Sequence, residues 1–257
     1  MTPSADGHVT QPGDGFAARH AALAAGYGSR PDPDDPARVL AMPIVLHIPK
    51  AEPPARSALL AAAASATVAL CLDERVGPDA DGEPGPWQHA LREWTDARIR
   101  KVARRARGAQ WLAAQEVDGV TADVDGAQAR ALVPGRVGDL DPRIKKLQIG
   151  GTDLEHDEPG PVDPALPTLW INASLEMTVG KAAAQVGHAA MILAGAMPVD
   201  RVRQWAAGGF RCAVRDADPR VWAALCDEVR RGTAVAVRDA GFTEVAPGSM
   251  TVIAPIP

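Results

Sequence analysis

The chain has 257 residues, with 27 Lys plus Arg against 32 Asp plus Glu and a formal net charge of −5. This length exceeds the roughly 100–150 residues of a common domain and favours two units. No uninterrupted apolar run of about 18 residues occurs, which excludes a membrane-spanning helix, and residues 1–40 lack the basic-then-apolar order of a signal peptide.

In chain order, residues 1–40 read as a disordered arm. Gly, Pro and Asp recur there, as in Pro31-Asp32-Pro33-Asp34, and leave no apolar periodicity; a short helix around Phe16–Ala25 is the alternative within it. The run Pro43-Ile44-Val45-Leu46-His47-Ile48 predicts a buried strand. The Ala/Leu-rich residues 55–72 predict a helix buried on most sides, and residues 87–100 a second helix. Arg92, Arg98, Arg100, Lys101, Arg104, Arg105 and Arg107 then form a basic strip, and residues 117–135 alternate as a strand. Residues 136–166 are rich in Pro and in acids around His156, which is the signature of a linker.

From residue 167 onward the element types alternate. Strands are expected at 169–171, 210–215, 234–238 and 251–254, and helices at 181–194, 199–207 and 220–231. Such alternation predicts an α/β architecture with helices packed on a sheet. Cys71, Cys212 and Cys226 are scattered, without C-x-x-C spacing. They argue against a disulfide framework or a thiolate zinc site and for a reducing, cytoplasmic setting.

The two halves share a diagonal. Trp94 and Trp205 are separated by the same interval as Trp111 and Trp222, and Arg92, Arg100, Arg104 and Ala106 meet Arg203, Arg211, Arg215 and Ala217 on it. Tryptophan is rare, so two pairs at one offset predict a duplicated α/β unit.

One helix start carries chemistry. In Thr178-Val179-Gly180-Lys181-Ala182-Ala183-Ala184-Gln185-Val186-Gly187-His188, Thr178 is placed as an N-cap, and Lys181, Gln185 and His188 fall at i, i+4 and i+7 on one face. A helix N-terminus beside a lysine suits phosphate or a developing oxyanion. Farther on, Asp239-Ala240-Gly241 ends a strand, and Pro247-Gly248-Ser249 leads into another. Strand-end loops of α/β sheets commonly hold sites. A phosphate loop is excluded because no G-x-G-x-x-G occurs and Gly180-Lys181 lacks its upstream glycine; a serine triad is excluded by the absence of G-x-S-x-G.

Together, Gly180-Lys181-x-x-Ala184-Gln185-x-x-His188-Ala189, Asp239-Ala240-Gly241-x-Thr243 and Pro247-Gly248-Ser249-x-Thr251-Val252 resemble the type 2 (archaeal and eukaryotic type) peptidyl-tRNA hydrolases over about 90 residues. The resemblance implies a mixed sheet flanked by helices and hydrolysis of the ester between peptide and tRNA, with no metal or organic cofactor. It implies an active-site cluster of Lys181, Gln185, His188, Asp239 and Thr243, with His188 or Asp239 as general base. Lys181 and the helix N-terminus would hold phosphate or oxyanion.

The sequence departs from the family pattern in Asn172-Ala173-Ser174, in Phe242 for Arg, in Glu244 for Gln and in Ile256 for Gly. The expected organisation is an arm (1–40), a degenerate hydrolase-like domain (41–135), a linker (136–166) and a catalytic domain (167–257). The two copies would form a covalent pseudo-dimer and hence a monomer without membrane attachment. Arg98, Arg100, Lys101, Arg104 and Arg105 are candidates for tRNA-backbone contacts. The competing reading is a non-catalytic tRNA- or protein-binding derivative of the same fold.

Overall fold

The computed structural model describes residues 15–28, 30–78, 82–239 and 244–257. The first half runs α1 (Gly15–Ala24), β1 (Leu40–His47), α2 (Arg56–Cys71), α3 (Gln88–Asp96), β2 (Lys101–Ala106), α4 (Ala109–Gln115), β3 (Gly119–Val124), β4 (Ala127–Leu132), β5 (Gly135–Arg136) and α5 (Pro142–Lys145). The second half runs β6 (Thr168–Asn172), α6 (Val179–Ala196), α7 (Val199–Ala207), β7 (Ala213–Ala217), α8 (Pro219–Arg231), β8 (Ala234–Arg238) and β9 (Met250–Pro255). Among the described residues no helix is long and apolar enough to cross a membrane.

Each half builds one mixed sheet, and the two orders correspond: β2-β1-β4-β3 and β7-β6-β9-β8. In each, the first strand pairs in parallel with the strand after its second helix and antiparallel with the fourth strand, which also pairs with the third; β5 adds a short antiparallel pairing to β1. The shared tryptophans have a shared job. The Trp94 indole donates to the carbonyl of Arg100 at 2.8 Å, and the Trp205 indole to that of Arg211 at 2.7 Å. Each bond closes a turn through a left-handed non-glycine residue, Ile99 (φ 45°) and Phe210 (φ 55°). Left-handed backbone is costly for side chains of this size, and the indole bond helps to hold it.

α2 and α6 lie in the middle, packed on each other and on their own sheets. Small residues dominate both, so their axes approach closely, and most of each helix is buried. A Cβ at Gly187 would sit 2.8 Å from Thr67 Oγ1, so glycine there is a matter of space rather than turn geometry. One buried cluster runs from Met42 and Leu59 through to Leu169 and Val186, so the halves share a core rather than owning one each. Smaller clusters lie under Trp111 with Ile144, and under Leu225 with Ile253.

Several expectations need correction. Residues 1–40 are not all a loose arm: the alternative short helix is present as α1, which packs on α6, and its buried His20 donates from Nε2 to the carbonyls of Ala194 and Met197, both at 3.0 Å. The helix expected over 87–100 ends at Asp96, because the chain must turn at Ile99 into edge strand β2. The single strand over 117–135 is the hairpin β3–β4. Its turn, Asp125-Gly126, takes φ 51° and 83°, the backbone that an Asp-Gly hairpin requires. β7 starts at Ala213 rather than at residue 210, where the left-handed Phe210 still belongs to the turn.

The segment 136–166 is fastened at many points. Ile144, Leu147 and Thr152 are buried. Arg105 N donates to Gln148 O at 2.9 Å, which covers part of the β2 edge, and Arg104 Nη1 reaches Leu147 O at 2.8 Å. Thr152 Oγ1 accepts from Gly180 N at 3.0 Å and Asp157 Oδ1 from Ser57 N at 2.8 Å, so the segment ties down the first turns of both central helices. His156 is mostly exposed and bonds Asp216 at 2.9 Å, which also receives Arg56 at 2.8 Å.

Gly187→Ala is expected to destabilise the fold by about 1–3 kcal/mol in denaturant unfolding, despite the better helix propensity of alanine. Adding Thr67→Ala removes the clashing hydroxyl and is expected to recover most of that loss.

Candidate active site

The N-terminal half of α6, the end of β8, the start of β2 with the turn before it, and residues 149–152 meet around a cavity of about 630 Å³. Thr178 caps α6 by accepting from Lys181 N at 3.2 Å, which fixes where the helix begins. From that start Lys181, Gln185 and His188 share the face that borders the cavity. Asp239 approaches from the end of β8, where the ladder shifts register between Val237 and Arg238. Its backbone is pinned on both sides: its N–H donates to Ser249 O at 2.9 Å, and its carbonyl accepts from Gly248 N at 2.7 Å. Gly248 takes φ 80°, which a residue bearing Cβ adopts only at a cost.

The side chains form a connected chain of hydrogen bonds. Lys181 Nζ lies 2.5 Å from Asp239 Oδ2, and Gln185 Nε2 donates to the same oxygen at 2.9 Å. Gln185 Oε1 in turn accepts from Thr251 Oγ1 at 2.6 Å. Accepting from Thr251 on one side and donating to Asp239 on the other assigns the amide orientation of Gln185. The pair is well buried, with Lys181 and Asp239 side chains 10% and 7% exposed. Charges this desolvated interact far more strongly than surface ions, and breaking the pair leaves an uncompensated charge.

His188 meets a second lysine. Lys101 Nζ, from β2 of the first half, lies 3.1 Å from His188 Nδ1 and 3.1 Å from Met191 Sδ, and 4.6 Å from the centre of the Trp94 ring. Burial pushes the Lys101 ammonium down to about 7, opposed weakly by the Cys71 thiol. Burial, then the charges of Lys101 and Lys181, hold His188 well below the usual histidine range.

The structure thus brings Lys181, Gln185, His188 and Asp239 together; Thr243, with residues 240–242, lies outside the described residues. Two expectations change. Lys101 is not part of an exposed basic strip but is buried against His188. Two first-turn amides of α6 are also already taken, Gly180 N by Thr152 and Lys181 N by Thr178, and the cap's own Thr178 N donates to Glu244 Oε2 at 2.8 Å.

Of the remaining basic candidates, Arg98 and Arg100 border the cavity and both face Asp32, whereas Arg104 and Arg105 hold the 136–166 segment. Thr251 was missed as a site residue, although a lone hydroxyl in the buried face of the apolar strand Met250–Pro255 was a readable signal. Lys101 carried no such signal, because only tertiary packing places it beside α6.

Lys101 and His188 both bind fewer protons folded than unfolded. Stability is therefore expected to fall with acid below about pH 6.5 through His188 and to rise from about pH 7 to 10.5 through Lys101. The Lys101 slope is at most about 1.4 kcal/mol per pH unit. Urea titrations at pH 7, 8 and 9 check this, and Lys101→Met should flatten the alkaline rise.

The sequence profile of the family described as peptidyl-tRNA hydrolase PTH2 matches residues 167–257. A peptidyl-tRNA hydrolase of Haloquadratum walsbyi is 38% identical over 85 residues, which cover 32% of this chain and 76% of that protein. No solved structure gives a significant match. The matched segment contains Lys181, Gln185, His188, Asp239 and Thr251, and leaves Lys101 outside it. By this C-terminal segment the chain belongs to the peptidyl-tRNA hydrolase PTH2 family.

Proposed function

We propose that the protein hydrolyses the ester bond between a peptide, or an N-blocked aminoacyl group, and tRNA. The observation that carries this reading is the buried Lys181–Asp239–Gln185–Thr251 chain at the wall of a cavity, within the segment that matches the family. In the proposed reaction Asp239 takes a proton from a water that attacks the ester carbonyl, and the proton passes to the departing ribose oxygen. Protonating Asp239 weakens its pairing with Lys181 and leaves that ammonium available to the developing oxyanion. Had His188 been the base, the new imidazolium would form between Lys101 and Lys181, which disfavours it. His188 then serves as a neutral hydrogen-bonding group, and Gln185 with Thr251 holds Asp239 in place.

The first half reads as a second, silent copy of the catalytic unit, and the chain as a covalent pseudo-dimer that works as a monomer. The matching strand orders, the paired Trp–carbonyl bonds and the twin left-handed turns support this. Counting from the N-caps Ala55 and Thr178, Ala58, Ala62 and Ser65 stand where the second half has Lys181, Gln185 and His188, so the chemistry is gone. On this reading 41–135 and 167–257 are the two copies, with Thr243 completing the site in the second. Arg98 and Arg100, beside the cavity, are the best placed to meet the tRNA backbone. A cytoplasmic setting suits this substrate and the free thiols of Cys71, Cys212 and Cys226.

Release of diacetyl-lysine from diacetyl-lysyl-tRNA tests the activity. Asp239→Asn and Lys181→Ala are each expected to lower kcat at least about 100-fold. Wild-type rates in both variants would overturn the site assignment, and tRNA binding without turnover by the native protein would favour the non-catalytic reading. Replacing Arg98 and Arg100 with Ala is expected to reduce the slope of log affinity for tRNA against log salt by about 1–2.

A further inference from the structure

Lys101 is a lysine where the fold has no need of one. The corresponding place in the second half, one residue past the arginine whose carbonyl receives the tryptophan N–H, is held by the buried Cys212. Beside Cys212 stands Ser65, at the α2 position that corresponds to His188 on α6. The two seams between the halves thus differ: on one side neutral Ser65 and Cys212 each donate to a backbone carbonyl, of Phe210 and Ala61, and on the other side stands the His188–Lys101 pair. The neutral pair demonstrates that packing alone is satisfied without charge. A buried ammonium is costly, and such a cost is characteristic of a position kept for function.

The seat for this lysine is built. Gly187, without a Cβ, lets the Lys101 stem lie against α6, since a Cβ there would come within 3.3 Å of Lys101 Cδ. The ammonium rests over the Trp94 ring and between Met191 Sδ and His188 Nδ1. Below about pH 7 Lys101 is an ammonium with only donors, so Nδ1 accepts there and the ring proton belongs on Nε2.

We infer that Lys101, supplied by the first half, is a positioning residue for His188: it keeps the imidazole uncharged and turns Nδ1 to the seam, leaving Nε2–H for the cavity. The charged and titratable groups around this pair are Lys181 on the same helix, Asp239 from β8, Arg98 and Arg100 from the α3–β2 turn, Glu244 beyond the first turn of α6, and Cys71 on α2. The first half is then not a bystander, and the site is incomplete without it. The consequence for activity rests on the proposed hydrolase reading, whereas the state of the imidazole does not.

Nitrogen-15 NMR of labelled histidine, followed from pH 8 to 5 in the full chain, decides the matter. In the native protein His188 is expected to stay neutral with an acceptor Nδ1. In Lys101→Met the midpoint should rise by at least one pH unit, while thermal stability at pH 7 stays level or increases. Lys101→Gln keeps a donor without the charge, so it should share the raised midpoint but retain the Nδ1 hydrogen bond. With diacetyl-lysyl-tRNA, Lys101→Met should lose at least tenfold in kcat at pH 6, and Lys101→Gln should recover most of the rate at pH 8. An unchanged His188 titration in folded Lys101→Met would overturn the inference. Absence of hydrolysis by the native protein would sink the proposed activity and leave the titration result standing.

Discussion

The close packing of α2 on α6 is the constraint from which the remaining architecture follows. Two Ala-rich helices can approach only because their facing residues are small, and at Gly187 and Thr67 the fit leaves no room for one more carbon. With both sheets folded back on this pair, the apolar surfaces of the halves merge into one core. A single core of this kind couples the halves energetically, since neither can expose its central helix without uncovering the face of the other.

The same contact creates the candidate site. α6 alone carries Lys181, Gln185 and His188, but the wall opposite them comes from β2 and the α3–β2 turn of the first half. The segment 136–166 completes the enclosure by binding the first turns of both central helices through Thr152 and Asp157. The polar network is consequently held from several elements at once. Rigid support of this kind favours catalysis, because groups fixed in advance need not reorganise as charge develops.

The two halves also illustrate how one architecture separates packing from chemistry. Strand order, the indole–carbonyl bonds and the left-handed turns are common to both, and these are the features needed to close each sheet. The ionisable cluster occurs in only one. Helix α2, with Ala and Ser at the corresponding places, has high helix propensity and satisfies the core, whereas α6 accepts the cost of burying a glutamine and partly burying a lysine and a histidine.

Much of this was legible beforehand, and the divisions have physical causes. The i, i+4, i+7 face of α6, its Thr178 cap and the strand end before Asp239 are local, periodic features, so the chain order alone revealed the core of the site. The apolar runs marked β1, α2 and the second-half elements for the same reason. The α3–β2 boundary was not readable, because nothing in the composition of residues 97–100 marks the left-handed Ile99, which the bond from the core-buried Trp94 indole to Arg100 O helps to hold. Helix α1 showed only as a short candidate among Gly and Pro, because its stability comes from docking on α6 rather than from its own propensity. Lys101 looked like one more base in a strip, since nothing local distinguishes a solvated lysine from a buried one. The sequence by itself determined the family, the alternating α/β order and the residue types on the α6 face of the candidate site. Only the tertiary structure decided that the two halves share a core and that Lys101 faces His188, because such contacts depend on the merging of surfaces some 87 residues apart in the chain.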